Sequence, residues 1–136
     1  MIKRLNCAFA DVYFIHNIKQ EKIGKELNKV FIKGHDYEDV DRRVSAGKAF
    51  TMEDKSGGRR FFLWVDETYN KNDIILFLTH ELMHIVVYIS QYIGTELSDS
   101  QGEWAAYLQE DLLKQILLII NNKKHVKSKK AKKSTK

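Results

Sequence analysis

The sequence contains a single cysteine, Cys7, and no proline among its 136 residues. One cysteine excludes a disulfide within the chain and is typical of a reducing compartment, so we expect a cytoplasmic protein. The N-terminal segment lacks both an uninterrupted apolar stretch and a small-residue cleavage site, and it therefore predicts no signal peptide. A chain of 136 residues is long enough to form one hydrophobic core and too short for two.

Acidic residues are absent from the last 16 positions, residues 121–136, which contain eight lysines. The remaining 120 residues hold 15 basic and 18 acidic groups, so the net charge of +5 comes from this tail. Such a composition predicts a disordered tail after a single domain of residues 1–120. The tail would either attract nucleic acid weakly or only aid solubility, and it has no aromatic residue on which a base could stack.

Apolar periodicity and turn residues predict an α+β domain. In the first half the sequence predicts a strand at Ala8–Ile15, an amphipathic helix at Glu21–Ile32 and a charged surface connection at Gly34–Val44. A hairpin follows, with strands at Lys48–Glu53 and Arg60–Val65. Lys55, Ser56, Gly57 and Gly58 supply the turn of the hairpin.

Two long helices are predicted in the second half. The first begins at a cap formed by Asn72 or Asp73 and runs to about Ile93, where Gly94 suits the left-handed conformation that ends a helix. The second covers Ser98–Ile120. The first is nearly long enough to cross a bilayer, but Glu81 would lie near the membrane centre at a cost of a few kcal/mol, so we expect no membrane partner.

The first long helix carries the pentad HELMH, residues His80 to His84. Side chains four residues apart lie on one face of a helix, so the two imidazoles of the pentad can bind one metal ion, for which zinc is the natural choice. Glu81 is offset from this face but near enough to accept a proton from a water molecule that zinc activates. The pattern therefore predicts a zinc-dependent hydrolase in which Glu81 is the general base.

A catalytic zinc site needs a third protein ligand, and Glu103 is our candidate. It lies 19 residues beyond His84, which leaves room for the chain to turn and for a second helix to return. The sequence also allows a different role, because Ser100 and Glu103 have the spacing of a helix capping box. Three other carboxylates are rival ligands: Glu96, Asp99 and Glu110.

The second half of the chain resembles the gluzincin zinc metallopeptidases. Within that group it is similar to small single-domain metallopeptidase-like proteins of bacteriophages and mobile elements. The segments that carry the resemblance are, in order, FFLWVD, LTHELMHIV and ELSDSQGEWAAYLQEDL. The resemblance covers about Arg60 to Leu113 and departs at Trp104, where an alanine is more usual. It implies a minimal zincin-like domain with one zinc ion on His80, His84 and Glu103. It also implies a peptide substrate that adds to Arg60–Val65 as to an edge strand.

Several alternatives stay open at the level of sequence. The group that stabilises a transition-state oxyanion could be Tyr88, Tyr107 or His125, of which we favour Tyr107 because it lies one turn beyond Glu103. The chain could instead be a catalytically idle zinc-binding interaction protein, or a nucleic-acid-binding accessory protein that acts through its tail. Retention of Glu81, which a purely structural zinc site does not need, favours the metallopeptidase.

Overall fold

A computed structural model describes residues 1–30, 45–53, 57–95, 97 and 102–134, with backbone alone from residue 123 onward. These described residues form an α+β domain with a four-stranded sheet and three α-helices. In chain order the elements are β1 (Ile2–Arg4), β2 (Asp11–Ile15), α1 (Ile23–Val30), β3 (Gly47–Glu53), β4 (Arg59–Val65), α2 (Lys71–Ile93) and α3 (Gly102–Ser134). A short 3-10 turn, Gln20–Lys22, precedes α1.

The strands are ordered β1-β2-β4-β3 across the sheet. The predicted hairpin is confirmed, because β3 and β4 pair antiparallel with Phe50 opposite Phe62. The predicted edge position of Arg60–Val65 is wrong: β4 also pairs in parallel with β2 and is therefore a central strand. The parallel partner lies more than 40 residues away in the chain, so local sequence patterns do not reveal it. Among the described strands, β3 and β1 form the two edges.

Both faces of the sheet are covered, and for this reason β4 is apolar at consecutive positions. Phe61, Leu63 and Val65 point into the main core with α2 and α3. Phe62 and Trp64 point to the other face, where they pack with residues of α1. There the rings of Tyr13 and Phe50 stack on Phe62 from the two neighbouring strands, with centroids 5.4 and 5.2 Å away. These contacts fix the register of three strands.

Helix α2 is capped by Asn70, which lies two residues before Asn72 and three before Asp73, the two predicted caps. The side chain of Asn70 accepts a hydrogen bond from the amide of Asp73 at 2.9 Å, and its own amide group donates to the Asp73 carboxylate. The predicted end is confirmed, since Gly94 has a φ of 73°. By length and composition α2 could span a membrane, a test that the core helix of a globular domain also passes. Its buried residues join the main core.

Helix α3 contributes to the core as far as Ile120, which is 4% exposed and is the last core residue among the side chains that the structure describes. The predicted end of the domain at residue 120 stays a prediction. The backbone continues as a helix as far as Ser134, and the disorder predicted for residues 121–136 stays a prediction. Lysine and alanine favour a helix that has already formed, and neither glycine nor proline interrupts the segment.

Smaller differences concern the N-terminal half. Strand β2 starts at Asp11 rather than Ala8, and β1, which pairs antiparallel with it, was not predicted. Strand β1 has only three residues and two of them are charged, so it has no apolar alternation. The predicted connection Gly34–Val44 and the turn residues Lys55 and Ser56 lie outside the described residues.

Candidate metal centre

The two histidines of the pentad lie on the solvent side of α2. The opposite side of the helix is buried in the core by Leu78, Leu82, Ile85 and other residues spaced three or four apart. That spacing leaves His80, His84 and the intervening Met83 exposed. The buried stripe therefore determines which way the histidines face, because it fixes the rotation of the helix against the sheet.

The Nε2 atoms of His80 and His84 are 3.3 Å apart, and the ring centroids are separated by 5.0 Å. Two imidazole nitrogens bound to one tetrahedral zinc ion, each at about 2.05 Å, would themselves lie about 3.3 Å apart. The pair thus has the separation that a shared zinc ion requires. A hydrogen bond between two neutral imidazoles has a similar length, so the distance fits both arrangements.

Glu81 lies on the side of α2 that faces the sheet edge. Its side chain is half-buried and lies beside Gly47 at the start of β3, where a Cβ atom added to the glycine would be 2.9 Å from Cγ and 3.5 Å from Oε1 of Glu81. Gly47 is itself buried and pairs with Val65 of β4. Glu81 is therefore held between the helix and the edge strand, while its two histidine neighbours in the motif are open to solvent.

The structure does not bring Glu103 together with the histidines as a third ligand. Glu103 is exposed in the first turn of α3. Within the described parts of the chain, no group of three or more His, Cys, Asp or Glu side chains could hold a metal ion. The rival Glu110 is also exposed. Glu96, Asp99 and the capping partner Ser100 lie outside the described residues, so the assignment of the third ligand stays a prediction.

One hydrogen bond of the site was not predicted. The side-chain amide of Gln109 in α3 donates to the backbone oxygen of Thr79 at 3.0 Å, directly before the first histidine of the pentad. Glu103 precedes Gln109 by six residues, or about 9 Å of helix. No signal in the sequence distinguishes Gln109 from any other polar residue on α3.

The three candidates for oxyanion stabilisation differ in placement. The ring of Tyr88 stacks on His84, with centroids 6.2 Å apart and an interplanar angle of 22°. Tyr107 is 66% exposed, and the side chain of His125 is not described. Tyr88 thus has a contact with the histidine pair, whereas our preference for Tyr107 stays untested.

A further histidine is buried away from this site. His16 is 3% exposed, and its Nδ1 lies 2.9 Å from a carboxylate oxygen of Glu67. The same oxygen accepts the backbone amide of Asn17, a residue with a φ of 55°. This pair joins the end of β2 to the segment after β4. It explains why a histidine can be buried there without a metal ion.

Comparisons with family models, with curated proteins and with solved structures found no match for this chain.

Proposed function

We propose that this protein is a zinc-dependent metallopeptidase in which His80, His84 and Glu103 hold the metal ion and Glu81 is the general base. The observation that carries the proposal is the 3.3 Å separation of the two histidine Nε2 atoms on the exposed side of α2. Two nitrogen donors at this separation suit one tetrahedral ion. Glu103 would complete the ligand set by a rotation or shift of the exposed first turn of α3.

The placement of Glu81 supports hydrolysis over a purely structural metal site. The carboxylate is one residue from a proposed metal ligand, and its side chain occupies the space beside Gly47. When bound, zinc would polarise the peptide carbonyl and make an attacking water more acidic. Glu81 would take the proton of that water and pass it to the leaving amine. The chain would therefore supply both the ligands and the base.

The outer edge of β3 is the place where an extended peptide would pair. Strand β3 is the edge strand of the described sheet on the side of Glu81, and its first residue approaches that side chain. Backbone groups on an edge can hydrogen-bond an added strand, which gives affinity, while side-chain pockets give specificity. This assigns to β3 the role that the sequence had suggested for Arg60–Val65.

The test is cleavage of a mixture of unstructured peptides, read by mass spectrometry, with zinc-loaded wild type and with Glu81→Gln. We expect Glu81→Gln to keep its zinc and its melting temperature, because glutamine has nearly the same shape. Its turnover should fall by about 100- to 10,000-fold, because glutamine cannot accept the proton. Equal cleavage by both proteins, or none by zinc-loaded wild type, would contradict the proposal.

Removal of the metal gives an independent control. Chelation should abolish cleavage by the wild type, and one equivalent of zinc should restore it. A contaminating peptidase is excluded if the Glu81→Gln protein, purified in the same way, stays inactive after the addition of zinc.

A further inference from the structure

We propose that Gly47 is a positioning residue for Glu81: the missing side chain at this position of β3 leaves the space that the glutamate occupies. The inference deepens the proposed peptidase function, and its catalytic part rests on that function. According to this inference, the correct placement of the general base depends on a residue of the edge strand β3 as well as on the pentad in α2.

The space in which a side chain at position 47 would lie is already occupied by Glu81. A Cβ atom added to Gly47 would lie 2.9 Å from Cγ of Glu81 and 3.3 Å from the backbone oxygen of Trp64. Carbon atoms in favourable contact are about 3.5–4.0 Å apart. Cγ is close to the root of the glutamate side chain, so the overlap cannot be relieved by a movement of the carboxylate alone. Any side chain at position 47 would rotate Glu81 at χ1 or push β3 away from α2.

The backbone of Gly47 gives no other reason for glycine. The described glycines with positive φ are Gly57 and Gly94, at 85° and 73°, and Gly47 is not among them. Glycine weakens the interior of a strand and often marks the close approach of another group. Here the closest group is the side chain of Glu81, followed by the backbone oxygen of Trp64. The space, and not the conformation, therefore accounts for the glycine.

The contact is tested by a cycle of four proteins: wild type, Gly47→Ala, Glu81→Ala and the double variant. We expect Gly47→Ala to lower the melting temperature by roughly 4 °C or more when Glu81 is present. The decrease should be at most half as large in the Glu81→Ala background, because alanine lacks the Cγ atom. The matched control is Gly102→Ala, which adds the same methyl group where nothing lies within 4 Å, and should shift the melting temperature little.

The positioning role is tested by the kinetics of zinc-loaded Gly47→Ala at a temperature at which it is folded. A displacement of the base by about 1 Å should lower kcat by about 100-fold. KM should change by less than about threefold, and the zinc content should stay at the wild-type value. A merely structural role would lower the melting temperature and leave kcat of the folded enzyme unchanged.

Two results would overturn the inference: equal melting-temperature shifts in both backgrounds, or a wild-type kcat for Gly47→Ala. Failure of the proposed function looks different, because it is observed in the zinc-loaded wild type, which would then cleave no peptide. The comparison of melting temperatures in the four proteins does not depend on activity. It therefore shows whether Gly47 provides the space for the Glu81 side chain even if the protein cleaves no peptide.

Discussion

The imidazole nitrogens of His80 and His84 face each other at 3.3 Å across one turn of α2, on the side of the helix that the core leaves exposed. The spacing of four residues on one helix brings the two side chains together. The buried residues on the other side of α2 determine that both side chains lie on its exposed side.

We expect purified protein to contain about one zinc ion per chain and to lose it when either histidine becomes alanine. In the proposed site each imidazole would supply one of three ligands, so its removal should weaken zinc binding by more than about 100-fold. Metal analysis after dialysis against a weak chelator measures the effect. Met83→Ala is the control, since Met83 lies between the histidines, is 48% exposed and should keep the metal. Zinc retained by His84→Ala would show that the pair is not the site.

The third ligand is decided by a comparison of Glu103→Ala with Glu110→Ala. Both residues are exposed on α3 and are seven positions apart, so the two variants should cost the fold about equally little. We expect the first to lose most of its zinc affinity and the second to keep it. The opposite result would move the ligand to Glu110. Zinc retained by both would direct attention to Glu96 or Asp99.

Proline substitutions distinguish the central strand from the edge strand. An amide of β4 donates to one or the other neighbouring strand, so both Leu63→Pro and Trp64→Pro should destabilise the fold by about 3 kcal/mol or more. On β3 only alternate amides face β4, so one of Thr51→Pro and Met52→Pro should fold and bind zinc normally. That variant should cleave peptides poorly if substrate pairs with the outer edge.

Circular dichroism, zinc content and turnover report on each proline variant. Stable folding of both Leu63→Pro and Trp64→Pro would contradict the central position of β4. A folded, zinc-loaded β3 variant that cleaves as well as the wild type would remove this edge from the substrate site.

Deletion of residues 121–136 tests the basic extension of α3. Ile120 is the last core residue among the described side chains, so we expect unchanged zinc content and a melting temperature within about 2 °C of the wild type. If the eight lysines bind nucleic acid, the full chain should bind duplex DNA with an affinity that falls steeply with added salt. The truncated chain should lose this binding. A large decrease in melting temperature would instead show that the extension packs against the domain.

The order of the strands could not be predicted from the sequence, although most of the elements could. The turn residues between two strand-like runs predict the hairpin, and Gly94 predicts the end of α2, because both depend on neighbours along the chain. The parallel pairing of β2 with β4 depends on residues more than 40 positions apart. The consecutive apolar residues of FFLWV indicate a strand buried on both faces, a signal that fits a central strand better than an edge.

The histidine pair follows from local sequence, because a spacing of four residues on any α-helix brings two side chains together. The glutamate beside them and the glycine that ends their helix are local features as well. The contacts of Glu81, in contrast, depend on the tertiary structure. Gly47 and Glu81 are 34 residues apart and meet only when β3 takes the edge of the sheet beside α2. Local spacing is a property of one helix, whereas the approach of a strand to that helix depends on the packing of the whole core.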